Sequence, residues 1–305
     1  MYTYPYINGA GQDVAAGDVH AFLKRPSLVA QRVAELVRGR FIADFLLRGR
    51  YDATGGGVAF LVDDSVYSDD DAEIIAPGAE YPLTTVTAGE PSFAPSEKEG
   101  QDTLITDEAI SRLLMDPVNR SLQRMVNRMV KRVDSKAMAV IGSQVTQTVA
   151  AGAAWTTGEQ IIEDILVADA TLDALDLGVE ADVVVLTPLQ FAKVAAHFIK
   201  VDMVANGLGD VISSGVIPSV LGKSWVTSSN VVGSDPLLVD SNLLGGIGSE
   251  RLASPGYTRV PDALGIETKI IRDEERDQYR PRVRRVGTAV VVEPRAGIAI
   301  TGTGL

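Results

Sequence analysis

Apolar residues recur at helical spacing in four stretches of the chain, and each reads as an amphipathic helix. The first spans Ser27–Arg38, with Leu28, Val29, Val33, Leu36 and Val37 on one face and Ser27 placed to cap it. The clearest runs from Asp116 to Gly142. Asp116 suits the N-cap, Pro117 the first helical position and Gly142 the C-terminal stop. Between them Val118, Leu122, Met125, Met129 and Val133 form an apolar row, while Arg120, Arg124, Arg128 and Arg132 recur every fourth residue on a second face. This predicts a rod about 37 Å long with one greasy and one basic side. Glu159–Leu177 is a third helix, ended by Gly178, and Thr187-Pro188 opens a fourth through Ile199, with Phe191, Val194, Ala195 and Phe198 inward.

Short runs of β-type residues between turn residues predict strands. They are Val58–Val62, Asp182–Leu186, Ser224–Ser228, Leu237–Asp240, Glu250–Ala253, Ile266–Ile271, Arg282–Val286, Thr288–Val292 and Ile298–Thr301. Gly245-Gly246-Ile247-Gly248 reads as a turn. Residues 51–97 have no helical period and few apolar positions, so they are expected to be extended and to bury poorly within a monomer, as binding loops and arms do.

Composition narrows the chemistry. At 305 residues the chain has room for one large domain or two modest ones, and 46% hydrophobic with 22% charged residues is ordinary globular usage. Without cysteine there are no disulfides, thiol nucleophiles or cysteine-ligated metals, and the only histidines are His20 and His197. A net charge of −12 argues against a protein built chiefly to grip nucleic acid. Met1–Gly11 lacks the basic start and apolar run of a signal peptide, no stretch is long enough for a membrane span, and a soluble chain made in the cytoplasm is expected.

No motif carries a reaction convincingly. Gly222-Lys223-Ser224 lacks the upstream glycine of a phosphate loop, with Ile217 in its place, and Trp225-Val226-Thr227 after it reads as a strand rather than a helix. His197 sits among inward-facing neighbours and reads as structural. Asp69, Asp70, Asp71 and Glu73 lack the alternating Asp-x-Asp-x-Asp-Gly spacing of a calcium loop. No catalytic residue, metal or cofactor is expected.

Charge placement is more telling. Residues 51–97 hold ten acidic side chains, Asp63, Asp64 and Glu73 among them, and no lysine or arginine. Residues 112–136 hold seven basic against two acidic, and residues 269–295 eight against five. Each run is either a solvated face or one half of a contact in which the acidic segment of one subunit meets the basic face of another.

The order of parts resembles the major capsid proteins of tailed double-stranded DNA phages, the Hong Kong 97-like fold. One carrier of the resemblance is Ala181-Asp182-Val183-Val184-Val185-Leu186-Thr187-Pro188-Leu189-Gln190-Phe191, leading to Leu221-Gly222-Lys223-Ser224-Trp225-Val226-Thr227-Ser228. The other is Asp277-Gln278-Tyr279 through Val283-Arg284-Arg285-Val286-Gly287 to Val292-Glu293-Pro294-Arg295-Ala296. The resemblance implies an α+β fold with an N-terminal arm (1–50), an extended β loop (51–100), a peripheral domain with a long spine helix (101–144), an α/β axial domain (145–262) and a returning peripheral β block (263–305). It implies a non-enzymatic shell protein that assembles as pentamers and hexamers into an icosahedral capsid. Packaged double-stranded DNA would be contacted non-specifically, scaffolding, portal and decoration proteins are possible partners, no membrane is involved, and assembly takes place in the host cytoplasm.

Within that frame the expected subunit seam joins Asp63, Asp64, Asp69, Asp70, Asp71 and Glu73 to Arg120, Arg124, Arg128, Arg132, Arg280, Arg282, Arg284 and Arg285. Residues 51–97 contain no lysine, so the covalent loop crosslink of some family members is not expected in its familiar form. With the arm beginning almost at Met1, the long N-terminal scaffolding segment of some members is expected to be a separate protein, already cleaved, or omitted. The alternatives are an encapsulin, whose amphipathic N-terminal helix is not matched by the irregular Met1–Gly17, and a soluble α/β nucleotide-binding enzyme using Gly222-Lys223-Ser224.

Overall fold

The structure, a computed structural model, describes residues 15–38, 41–62, 67–200, 221–231, 233, 235–261 and 264–305. Of three N-terminal helices, α1 (Ala16–Leu23) packs on α2 (Pro26–Val37), and α2 and α3 (Ile42–Leu46) pack against the long helix that follows. Of these, α1 and α3 were not anticipated. Helix α2 is capped two residues earlier than expected, at Arg25 rather than Ser27, with Pro26 in the first turn, where its missing N–H leaves no bond unmade. Strand β1 (Gly49–Asp52) leads to the hairpin of β2 (Gly57–Val62) and β3 (Glu90–Pro95), and β4 (Glu97–Asp102) and β5 (Ile105–Thr106) follow.

After α4 (Asp107–Leu113), helix α5 (Asp116–Gln144) is the rod read from the sequence, 29 residues long, or about 43 Å. Its buried row extends from Val118 through Met125 and Val133 to Ile141. Two boundary readings are corrected: Met115 rather than Asp116 is the N-cap, and Gly142 lies inside the last turn. One exposed glycine costs about 1 kcal/mol in a helix, too little to stop one anchored by Met138 and Ile141.

Two sheets complete the molecule. In the first, β13 (Gln278–Val291) is the central beam. It pairs with β12 (Ile266–Asp273) along one side, and with β5, β4 and β10 (Gly245–Ser249) in succession along the other; β1 and β11 (Thr258–Arg259) lie outermost. The two strands expected at Arg282–Val286 and Thr288–Val292 are thus one, and Gly287 marks where its partner changes from β4 to β10.

The glycine cluster expected to be a turn is β10 itself, buried between β1 and β13, and no strand forms at Glu250–Ala253. Glycine is needed here by proximity. A Cβ on Gly246 would stand 2.3 Å from the Gly49 carbonyl oxygen, and one on Gly245 2.2 Å from that of Val290. The absence of side chains, which read as a turn, is what lets three backbones approach this closely.

The second sheet runs β6 (Thr148–Ala150), β14 (Gly297–Thr301), β9 (Leu237–Val239), β7 (Val183–Leu186), β8 (Ser224–Thr227), all parallel except β9. Helix α6 (Gly158–Asp173) crosses from β6 to β7 and α7 (Pro188–Lys200) follows β7. Both crossovers step the same way across the sheet, so right-handed connection places both helices on one face, where they touch. Thr157 and Gln160 form a capping box that starts α6. The helix ends at Asp173, short of the expected Leu177, and Asp176 and Gly178 turn the chain with positive φ. The sheets do not follow the expected division at 262/263, since β10 and β11 belong to the first sheet and β14 to the second.

Candidate subunit interface

From Tyr67 to Gly89, ahead of β3, the chain is irregular and solvated, as its pattern predicted. Ile74, Tyr81, Leu83 and Val86 are exposed, Ile74 and Leu83 completely so. What order it has is local: the Asp69 N–H donates to the Thr85 carbonyl at 3.1 Å, and the Asp69 carboxylate accepts from Thr85 and Thr87, bonds that hold it below the usual carboxylate range. Tyr67 donates its hydroxyl to the Asp176 carbonyl. The carboxylates of Asp70, Asp71 and Glu73 meet no partner among the described residues, and Asp63 and Asp64 lie outside those residues.

The outgoing strand β4 alternates its acids between two faces. Glu97 and Glu99 reach α5, pairing with Lys136 at 2.9 Å and Arg132 at 2.8 Å, and Gln101 donates to the Met125 carbonyl. On the opposite face Asp102 takes Arg282 at 2.6 Å and Arg280 at 2.7 Å, which holds its carboxyl well below the usual range. Of these acids, missed as partners in the sequence, Glu97 and Glu99 were marked by their two-residue strand spacing, whereas Asp102, three residues on, falls on the other face.

The basic residues expected at one seam therefore separate. Arg120 pairs with Asp116, and Arg132, Arg280 and Arg282 are engaged by β4. Arg284 and Arg285 correct the expectation, each being only 3% exposed. Arg284 donates to Glu267 at 2.8 Å and lies over the Tyr257 ring, while Arg285 donates to the Leu264 carbonyl and its burial pushes its pKa down. Such a charge is internal structure. Only Arg124 and Arg128, exposed and one turn apart on α5, remain of that set without a carboxylate among the described residues.

The other candidates resolve into scaffold. Lys223 is buried and donates to Asp169 at 2.7 Å and to the Ala181 carbonyl at 2.8 Å, so its ammonium locks α6 to β7 and cannot face a phosphate. His197 is half-buried on α7, and His20 lies 3.2 Å from the Tyr279 hydroxyl. Among the described residues no group of three or more histidines and carboxylates is placed to hold a metal ion, and no helix is long and apolar enough to cross a membrane. A cleft of about 600 Å³ beside β10 is walled by Arg50, already paired with Asp44, and by Arg259, Ser249 and Leu264. These groups contain no nucleophile–base pair.

What the arrangement offers is thus surface: a solvated acidic loop, a basic helix face and a rigid base between them. The profile of the family described as "Phage capsid protein" matches residues 89–300, more than half of the chain. The chain belongs to the phage capsid protein family. Among solved structures it is similar to the capsid of the cyanophage P-SCSP1u (13% identity, 82% of this chain and 84% of that one, TM-score 0.57). It is also similar to a virus-like particle from Pyrococcus furiosus (12% identity, 90% and 98% covered, TM-score 0.56). A third likeness is to the major capsid protein of phage G, solved with gp26 decoration proteins (10% identity, 87% and 90% covered, TM-score 0.50). No curated protein matches. The capsid fold is Hong Kong 97-like, α+β, over most of the chain. As a phage capsid protein the chain is structural and not an enzyme, it self-associates, and its place is the virion capsid.

Proposed function

We propose that this capsid protein is the major shell subunit of a tailed phage, assembling as pentamers and hexamers into an icosahedral container for double-stranded DNA. The observation that carries the reading is the family match together with a loop that leaves Ile74 and Leu83 exposed and three carboxylates without a partner among the described residues. Contact with the genome is non-specific, in keeping with a net charge of −12. Scaffolding, portal and decoration proteins are further partners under this reading, and assembly proceeds in the host cytoplasm. Segments 1–50, 51–100 and 101–144 serve as arm, loop and spine, while the second sheet with α6 and α7 serves as the axial part and the first sheet as the peripheral part.

The loop lies over a neighbouring subunit, where Asp70, Asp71 and Glu73 meet Arg124 and Arg128. Each exposed pair contributes only about 0–1 kcal/mol, but a shell repeats the contact at every subunit and guanidinium forks fix its register. Expression with its neighbouring genes, sizing and electron microscopy test the function: closed shells are expected, and a well-behaved monomer or dimer refutes it. Arg124→Glu with Arg128→Glu should leave the subunit folded and impair assembly; normal shells from that variant refute the seam. A cargo-enclosing compartment is the second reading, favoured by the likeness to the Pyrococcus furiosus particle, and DNA-filled against protein-filled interiors separate the two.

A further inference from the structure

Helices α6 and α7 lie on the same face of the second sheet, and each leaves a stripe of exposed residues at helical spacing. On α6 the stripe is Glu159, Ile162, Glu163, Leu166, Val167 and Ala170, with Leu166 and Val167 about half exposed around a shallow, almost wholly apolar groove of about 470 Å³. Every charge on this helix is acidic. The two acids that point inward, Asp164 and Asp169, are bound to Trp155 and Lys223, whereas Glu159 and Glu163 meet no cation among the described residues. On α7 the stripe is Leu189, Ala192, Lys193 and Ala196, with Leu189 69% exposed, and the helix contains lysines and no acid.

The two stripes are apolar at their centres and opposite in charge sign, and no ion pair joins them within the subunit among the described residues. They differ in sequence and position, so neither pairs with its own copy. A contact between them is either reciprocal across a two-fold axis or, repeated in one sense, heterologous and ring-closing, and the capsid reading selects the ring. The acidic loop does not suit the α6 groove, because Glu159 and Glu163 would repel it.

We propose that the α6 stripe of one subunit docks on the α7 stripe of a second copy of this chain, and that this contact runs head to tail around each capsomer. The inference rests on the capsid reading above. Leu166 and Leu189 provide the buried centre, and Glu163 with Lys193 sets direction and register.

The test is reversal and exchange of charge in the full-length protein. Glu159→Lys with Glu163→Lys, and separately Lys193→Glu, should each raise the subunit concentration needed for capsomer formation at least tenfold, read by sedimentation and native mass spectrometry. Circular dichroism should be unchanged, because all three positions are exposed. Combining the reversals in one chain should restore assembly to near the unmodified level, a recovery that a merely misfolded variant would not show. Unmodified assembly by both reversed variants, or no recovery in the combined one, overturns the contact and leaves the capsid role standing. Failure of the unmodified chain to assemble at all overturns both.

Discussion

Replacing Arg284 by alanine separates a residue that holds the subunit together from one that holds subunits to each other. Its guanidinium donates through Nε to Glu267 at 2.8 Å and through Nη1 to Ser254 at 3.1 Å, and its carbon stands 3.4 Å from the centre of the Tyr257 ring. The side chains of the pair are 4% and 9% exposed. Removing the arginine leaves the Glu267 carboxylate inside the first sheet without a counter-charge. Breaking a buried pair in this way costs about 3–5 kcal/mol. With a urea dependence of about 3 kcal/mol per molar, the unfolding midpoint should fall by at least roughly 1 M. Arg124→Ala, on the open face of α5, should move it by less than about 0.5 kcal/mol equivalent. Arg284→Met with Glu267→Leu should recover most of the loss, because an apolar pair removes the stranded charge along with its partner. The assay is urea unfolding of unassembled subunits followed by tryptophan fluorescence. Equal midpoints for the Arg284→Ala and Arg124→Ala proteins, with assembly lost only in the former, would refute the argument and return Arg284 to the subunit seam.

Gly246→Ala should abolish soluble expression, since its Cβ would meet the Gly49 backbone at 2.3 Å; a soluble variant with unchanged circular dichroism would contradict the close approach. Asp164→Ala should cost about 1–3 kcal/mol in thermal or urea unfolding, because the Gly152 and Trp155 N–H groups it accepts from, at 2.9 and 2.6 Å, lose their partner. Asp102 and Asp107 are held below the usual range by Arg282 and Arg272 respectively, so their stabilisation is complete above an unfolded pKa of about 4 and is lost as pH falls through the lower folded values. Subunit stability should therefore drop below about pH 4, and Asp102→Asn with Asp107→Asn should flatten that drop while lowering stability at neutral pH. Asp134 has the opposite sign: burial raises its pKa, so its ionised form opposes folding at neutral pH. Asp134→Asn, which keeps an acceptor for the Ala43 N–H at 3.0 Å, should match or exceed the parent stability at pH 7 and remove the gain that the parent shows on mild acidification.

Periodicity and charge sign were readable from the chain itself, because each is a property of neighbouring residues. The apolar row of α5, the buried run Val183–Leu186 and the cation-free segment 51–97 all lie within a few turns or strand lengths of sequence. Together with the order of the parts they placed the chain in its fold. Pairing over long separations was not readable. Nothing local distinguishes Arg124 from Arg284; what separates them is that β13 carries the latter into the first sheet opposite Glu267, 17 residues away, while α5 leaves the former in water. The glycines of β10 misled for the same reason, since a run without side chains is a turn in isolation and a tight strand only when Gly49 and Val290 close on it from both sides. Local pattern determined which elements form and what charge they present. Tertiary structure decided which charges are spent inside the subunit and which, like Arg124, Glu163 and Lys193, are left exposed on its surface, because only packing sets the distance between groups far apart in sequence.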